Sequence, residues 1–246
     1  VENADFEKMN QVRTRVDEIV KDPATAEALK PWYRQFCKRP CFHDDYLPTF
    51  NRPNVTLVDT GGHGVERITP KGVVANGVEY ELDCLIYATG FEVGTDYARR
   101  SGYETTGSDN LTLTSKWAEG VETFHGFFSR GFPNCFLVST AQSGFSVNFP
   151  HMLNEQAIHI AHVVKHATED GITRIEASAQ AEHDWVEDIK SNSTMNLKFL
   201  EACTPGYYNN EGKPSERSLQ DSNYGAGPVA FFKVLDDWRK EGSLEG

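Results

Sequence analysis

Apolar residues recur at three- and four-residue steps near the start of the chain, which is the periodicity of a helix with one buried face. The stripe comprises Phe6, Met9, Val12, Val16, Ile19 and Val20. Asp22 followed by Pro23 is typical of an N-cap with proline in the first turn. The pattern therefore predicts two opening helices, over 3–20 and 23–30.

The pattern then changes to short apolar runs separated by glycines. Runs at 65–68, 72–74 and 78–80, with Asn76-Gly77 before the last of them, predict a small antiparallel meander. The run at 55–58 is also of β type. Two continuous apolar runs, at 84–88 and 135–139, are typical of strands covered on both faces, and we expect them to be buried.

Helical periodicity returns in the second half of the chain. Helices are predicted over 114–118, 150–168, 177–199 and 229–239, and a polar loop over 204–224. The side chains expected to face inward from the last three helices are Ile158, Ala161, Val164 and Ala167, then Trp185, Ile189 and Met195, then Phe231, Phe232, Leu235 and Trp238.

Two buried strands are too few for a complete doubly wound sheet, and no Gly-x-Gly-x-x-Gly follows a strand. We therefore expect this chain to be part of a larger protein.

Composition narrows the function classes. The 24 Lys and Arg residues against 36 Asp and Glu give a net charge of −12, which opposes binding to nucleic acid. No apolar run is long enough to span a membrane, so a cytoplasmic protein is expected. The five cysteines are odd in number and widely scattered, and we expect reduced thiols rather than a disulfide framework.

Two segments carry candidate chemistry. The run 83–91 ends in Thr89-Gly90, where open α/β sheets place ligands, although any buried strand can end in a glycine turn. Lys38-Arg39, flanked by aromatic residues and followed by Pro40, can present a cation to an anion in a desolvated cleft. A solvated basic pair is the simpler alternative.

Metal binding is not expected. His43 beside Asp44 and Asp45 lacks a second histidine at ligand spacing. Three histidines at helical spacing, His159, His162 and His166, are interpreted as a partly exposed polar face.

The order of several short motifs resembles the second half of the flavin-dependent Baeyer–Villiger monooxygenases. These are Lys38-Arg39, Tyr46, Asn51-Arg52, Asn54-Val55, the segments 57–59 and 83–91, and Gly131-Phe132-Pro133-Asn134. Segments 37–43 and 202–210 are most similar to the branch that acts on bulky or polycyclic ketones. The resemblance covers nearly all of the chain after residue 31.

The resemblance implies an α/β fold: a partial flavoprotein with two Rossmann-like dinucleotide-binding domains and a helical carboxyl-terminal region, incomplete by itself. Residues 1–52 would end the NADP-binding domain. Residues 53–246 would supply the carboxyl-terminal part of the FAD-binding domain and a helical tail bordering the substrate cavity. Both glycine-rich loops and the catalytic aspartate of the family lie upstream, so the chain alone is expected neither to bind FAD tightly nor to turn over.

The implied activity uses FAD, NADPH and O2 to insert one oxygen atom beside a ketone carbonyl through a flavin C4a-peroxide, which gives an ester or lactone. Arg39 matches the active-site arginine, and Lys38 the position that approaches the NADPH 2′-phosphate. The remaining matched cofactor-binding positions are Ala88, Thr89 and Gly90 at the strand end, Asn148, Phe149, Pro150 and His151 at a helix start near the flavin, and Asn196 and Lys198. Lys198 stands where the family has a tryptophan, a departure that weakens the implied contact.

Two alternatives remain open. An N- or S-oxygenating flavin monooxygenase shares the Ala-Thr-Gly strand end but normally lacks the Lys-Arg segment. A non-catalytic binding module derived from half of a flavoprotein is the alternative from another class.

Overall fold

The computed structural model describes residues 2–91, 93, 96–214 and 217–246. The chain divides into two compact units, Val1–Phe91 with Cys203–Tyr208, and Glu92–Ala202 with Asn209–Gly246. Segment 203–208 therefore folds with the first unit, although its neighbours on both sides belong to the second. The expected boundary at residue 52 concerns the nucleotide-binding domains of a whole protein and stays a prediction.

The first unit opens with the two expected helices, α1 (Glu2–Ile19) and α2 (Pro23–Leu29), and continues with the short α3 (Tyr46–Thr49). Asp22 caps α2 by accepting a hydrogen bond from the Thr25 backbone N–H at 2.8 Å. Val16, Val20 and Ala26 pack together as a small buried core. The two helices and the Asp-Pro signal are confirmed, whereas the predicted buried stripe is confirmed only in part: Met9, Val16 and Val20 are buried, but Phe6 and Val12 are exposed.

The chain after α2 is anchored to α1 through one carboxylate. Asp5 accepts hydrogen bonds from the Arg34 side chain at 2.7 Å and from the Gln35 backbone N–H at 2.8 Å. The hydrogen bond from Arg34 lowers the pKa of Asp5. This anchor fixes the backbone two residues before Cys37.

The predicted meander is present. β1 (Arg67–Ile68), β2 (Gly72–Ala75) and β3 (Val78–Glu81) form an antiparallel sheet in the order β1-β2-β3. Asn76 and Gly77 both adopt positive φ, 51° and 74°, as a two-residue hairpin turn requires.

The strands expected at 84–88 and 135–139 do not form, nor does one at 55–58. Residues 81–91 are exposed throughout, and Ile86 and Phe91 are each 83% exposed. A buried strand needs neighbouring strands to accept its backbone hydrogen bonds. Within the described ranges no strand pairs with these runs. Residues 84–88 lie exposed, whereas Leu137 is buried and donates its backbone N–H to the Phe127 carbonyl oxygen at 2.8 Å.

The second unit is helical. Its longer helices are α6 (Phe149–Glu169), α7 (Ala179–Asn192) and α10 (Pro228–Glu241), and its shorter ones are α4 (Tyr97–Ser101), α5 (Leu113–Lys116), α8 (Leu197–Ala202) and α9 (Arg217–Gln220), with a 3-10 turn at Ser108–Asn110. Phe127, Trp185, Ile189, Phe231 and Leu235 belong to its main core. The single helix predicted over 177–199 is wrong at its end, because the backbone becomes extended at Ser193 and Asn196 caps α8 instead.

The buried face of α6 also differs from the prediction. Ile158, Ala161 and Val164 are exposed, and of the four residues expected to face inward only Ala167 is buried. The buried stripe consists of Met152, Gln156, His159, Val163 and Ala167. Apolar residues line both sides of this helix, so periodicity alone did not identify the side that packs.

Two of the buried side chains in this unit are histidines, which corrects the expectation that His159 lies on a partly exposed face. His125 and His159 are 4% and 0% exposed, with ring centroids 5.6 Å apart. Neither ring nitrogen of His159 has a hydrogen-bond partner in the described part of the chain. Desolvation lowers the pKa of each imidazole, the interactions of His125 with His159, and of His159 with Arg239 and His162, lower it further, and each pKa is brought to about 3.

The two buried histidines should make the folded chain less stable in acid. Between pH 6.5 and about 3, both histidines are protonated in the unfolded state but neutral in the folded state. Their full contribution to stability is therefore present above pH 6.5 and is lost as the pH falls below that value. We expect each histidine to lower the free energy of unfolding by about 2 kcal/mol between pH 7.5 and 5. Urea unfolding followed by tryptophan fluorescence measures the loss.

The variant His159→Leu tests the assignment, because leucine replaces a ring without hydrogen-bond partners. It is expected to lose about half as much stability over the same pH interval as the unmodified chain. His183→Gln, at an exposed position of α7, is the matched control and should not alter the pH dependence. A pH dependence unchanged in His159→Leu would contradict the buried neutral imidazole.

Candidate functional site

The candidate cations Lys38 and Arg39 follow a disulfide. Cys37 is bonded to Cys203, 166 residues away, with a Cα–Cα distance of 5.2 Å. Both cysteines are buried, at 3% and 8% exposure. The expectation of reduced thiols is therefore wrong for this pair, because an odd count says nothing about which two cysteines the fold brings together.

Lys38 is held by the segment that the disulfide brings to it. Its ammonium group donates a hydrogen bond to the Pro205 carbonyl oxygen. Gly206 makes room for this contact, because a Cβ at that position would lie 2.6 Å from Lys38 Nζ. The ammonium is thus oriented by a neutral acceptor.

Arg39 is exposed and lies beside Tyr208 of the same segment. A hydrogen bond with Tyr207 and partial burial raise the pKa of Tyr208, while the charge and hydrogen bond of Arg39 oppose the rise. The rings of Tyr207 and Tyr208 are 4.4 Å apart. Arg39 therefore meets a phenol rather than a carboxylate.

The charges of Lys38 and Arg39 are not neutralised locally. The ion pairs among the described residues include neither side chain. Two adjacent cations without a carboxylate partner are an arrangement that suits an anionic ligand.

Ala88, Thr89 and Gly90 belong to the same unit as the two cations. All three are exposed and lie outside any strand. Gly90 has φ of 93°, a conformation that favours glycine, and a Cβ there would meet no atom within 4 Å. The backbone at Gly90 is thus open to close approach.

Asn148, Phe149, Pro150 and His151 lie in the second unit, at the exposed start of α6. The Asn148 side chain accepts a hydrogen bond from the His151 N–H at 3.3 Å, and Pro150 has no N–H. The cap leaves fewer free donors for an anion than an uncapped helix start would offer.

The last two candidates, Asn196 and Lys198, also lie in the second unit. The Asn196 side chain accepts the Phe199 N–H at 3.1 Å and so begins α8. Lys198 is exposed in the first turn of that helix. A structural role is therefore visible for Asn196.

The described residues contain no group of three or more His, Cys, Asp or Glu side chains arranged to hold a metal ion. Over the same ranges, none of the helices combines the length and apolar character that crossing a membrane requires.

The residues that contact the two cations, Pro205, Gly206 and Tyr208, were not identified from the sequence. Segments 37–43 and 202–210 both stand out by the same resemblance. The first contains two cysteines, Cys37 and Cys41, and the second contains Cys203. The structure pairs Cys203 with Cys37 and so places segment 203–208 beside Lys38.

The chain was compared with known proteins. It is 57% identical over 247 residues to pentalenolactone D synthase of Streptomyces exfoliatus, a match covering 100% of this chain and 42% of that protein. It is 49% identical to a Baeyer–Villiger monooxygenase of Stachybotrys chlorohalonatus, covering 100% of this chain and 40% of the relative. The chain thus spans about two fifths of the length of the curated relatives it matches. No family model matches it.

Solved structures agree with these relatives. The polycyclic ketone monooxygenase of Thermothelomyces thermophila is 38% identical with a TM-score of 0.85, over 98% of this chain and 40% of that one. Cyclohexanone monooxygenase of Rhodococcus, bound to NADP+, is 28% identical with a TM-score of 0.81, over 99% and 45%. These neighbours support the expectation of a partial flavoprotein, although the described residues do not form its predicted buried strands.

The start of α6 gives a prediction that does not depend on any ligand. Asn148→Ala removes the side-chain cap and should lower the free energy of unfolding by about 1 kcal/mol. Asn148→Ser, which retains a capping oxygen, should keep most of that stability. Urea unfolding measures both variants.

Asn154→Ala is the control, at an exposed position inside α6 where alanine is the better helix former. Equal losses in Asn148→Ala and Asn148→Ser would show that the cap does not stabilise the helix start.

Proposed function

Since this chain is homologous over its full length to a carboxyl-terminal part of the Baeyer–Villiger monooxygenases, we propose that it completes such an enzyme. The proposed reaction converts a bulky or cyclic ketone, O2, NADPH and a proton into an ester or lactone, water and NADP+. The observation that carries the proposal is the adjacent pair Lys38 and Arg39, which contacts neutral partners and pairs with no carboxylate among residues 2–91, 93, 96–214 and 217–246.

The residues of the chain fit the cofactors that this reaction needs. FAD and NADP(H) are anions, and the two cations lie next to each other with their charge available. The chemistry that FAD supplies when bound is the transfer of electrons from NADPH to O2. The protein binds, orients and shields the reactants.

Arg39 is proposed as the catalytic residue. Negative charge develops on oxygen when the ketone carbonyl is attacked, and a guanidinium can hold that charge through two parallel hydrogen bonds. Arginine suits this position because it stays protonated at any working pH. The contact with Tyr208 leaves most of the five N–H donors of Arg39 free to hold that charge.

Lys38 is proposed to bind the 2′-phosphate of NADPH. Its ammonium has three donors, and Pro205 accepts from one of them. The other two can reach a phosphate as a compact point charge. This contact would favour NADPH over NADH, which lacks that phosphate.

The other candidates are proposed to approach the cofactors through their backbone or surface. Gly90 with Ala88 and Thr89 would let the backbone come close to a nucleotide. The start of α6, at Asn148–His151, would face the flavin, with Phe149 supplying the uncapped N–H. Asn196 and Lys198 would border the nicotinamide side.

The exposed apolar run 84–91 is proposed to be covered by the upstream part of the same protein. Ile86, Tyr87 and Phe91 are 83%, 68% and 83% exposed, more apolar surface than one short segment usually leaves in water.

Expressed alone, the chain should not retain flavin. Expressed with an upstream part from the same gene, it should show flavin absorbance after desalting.

Arg39→Ala in the complete protein should reduce ester formation by about a hundredfold or more, because a preorganised charge is lost from the reacting oxygen. Bound flavin should remain. Ester yield by gas chromatography and flavin absorbance measure the two effects. Arg15→Ala, an exposed arginine on α1, is the control. Normal oxygenation by Arg39→Ala would refute the role of Arg39.

Lys38→Ala should raise the KM for NADPH about tenfold through loss of one charged phosphate contact, and leave the KM for NADH unchanged. Steady-state kinetics with each coenzyme measure the ratio. Lys71→Ala is the control, because that side chain is 71% exposed and paired with Glu81. Equal effects on both coenzymes would contradict a 2′-phosphate contact.

A further inference from the structure

We propose that the Cys37–Cys203 disulfide is a positioning element, which holds segment 203–208 against Lys38 and Arg39 and so sets where the two cations point. The bond is intramolecular and buried, and it lies immediately before Lys38 in the chain. The consequence for coenzyme selectivity rests on the proposed function, whereas the positioning itself does not.

The spacing on both sides of the bond is short. Lys38 is one residue from Cys37, and Pro205 is two residues from Cys203, which an extended chain spans in at most about 7 Å. With the two Cα atoms 5.2 Å apart, the Pro205 carbonyl lies within reach of the lysine side chain. Through the chain itself, 166 residues separate the two cysteines.

One of the two bonded cysteines, Cys37, lies in a part of the chain that is held to α1. The Asp5 carboxylate holds Arg34 and Gln35 to α1, so Cys37 starts from an anchored backbone. Segment 203–208, by contrast, joins the first unit while the chain on both sides of it belongs to the second. The bond therefore ties the segment to an anchored part of the first unit.

The partners that this segment offers are neutral. A carbonyl oxygen and a phenol orient a cation through hydrogen bonds, whereas a carboxylate would also cancel its charge. Lys38 keeps two free N–H donors after bonding to Pro205. Segment 203–208 thus orients the two cationic side chains without placing a carboxylate against them.

Reduction would undo the restraint. A dithiol such as dithiothreitol supplies two electrons and two protons, the S–S bond breaks to give two thiols, and the reductant becomes a cyclic disulfide. Segment 203–208 then loses its covalent tie, and Lys38 its fixed acceptor. We expect the ammonium of Lys38 to become more mobile and more accessible.

The first experiment does not depend on activity. In the complete protein purified without reductant, peptide mapping after alkylation under denaturing conditions should find Cys37 linked to Cys203, and Cys41, Cys84 and Cys135 alkylated as free thiols. Acetylation of Lys38, followed by mass spectrometry, should become about fivefold faster in Cys203→Ser. Cys135→Ser should leave the rate unchanged, and Lys71 serves as the internal reference.

The second experiment measures selectivity. Cys203→Ser should raise the KM for NADPH about fivefold while leaving the KM for NADH unchanged. Gly206→Ala keeps the disulfide but places a methyl group against Lys38 Nζ, and should shift the same ratio in the same direction. It replaces Cys203→Ser if that variant does not fold.

The outcomes separate the two claims. Unlinked cysteines, or an acetylation rate of Lys38 unchanged in both Cys203→Ser and Gly206→Ala, overturn the positioning role. A faster rate together with a shifted NADPH/NADH ratio supports it. A faster rate with no shift, in a protein whose Lys38→Ala variant also shows none, supports positioning and refutes the proposed 2′-phosphate contact.

Discussion

A backbone removed from water must find hydrogen-bond partners, and this constraint decides which elements of the chain exist. Helices and the small meander satisfy it locally, since their partners lie within a few residues. The apolar run 84–88 cannot, because a strand buried on both faces needs strands beside it. It therefore lies exposed, in a chain that spans about two fifths of its relatives. The elements with local partners form, whereas within the described residues the run 84–88 has no strand beside it.

Elements whose hydrogen-bond partners lie within a few residues are predicted well from the sequence, and elements whose partners are distant are predicted poorly. Asp22-Pro23 and Asn76-Gly77 act within one turn, and both specify the expected geometry. The face of α6 was missed because apolar residues line both of its sides, and the buried side includes Gln156 and His159. The end of α7 was missed because capping by Asn196 competes with continuing the helix.

The candidate site shows most clearly that contacts between distant residues cannot be predicted from local sequence patterns. Lys38 and Arg39 were identified from their residue types and order, which needs no knowledge of their surroundings. Their contacts with Pro205 and Tyr208 depend on a bond between residues 166 positions apart, and no periodicity reports such a distance. The sequence therefore indicated two candidate charges, but not which residues contact them.

Charge pairing distinguishes these two cations from other basic residues that serve the fold. Arg34 binds the Asp5 carboxylate at 2.7 Å, and Lys116 binds the buried Glu182 at 2.7 Å, so in each pair the charges largely cancel. Lys38 and Arg39 instead meet a carbonyl and a phenol. In an acidic chain with a net charge of −12, carboxylates are abundant, and two adjacent cations that pair with none of the carboxylates in the described residues favour an anionic ligand. A nucleotide cofactor satisfies that requirement, whereas a neutral ketone alone does not.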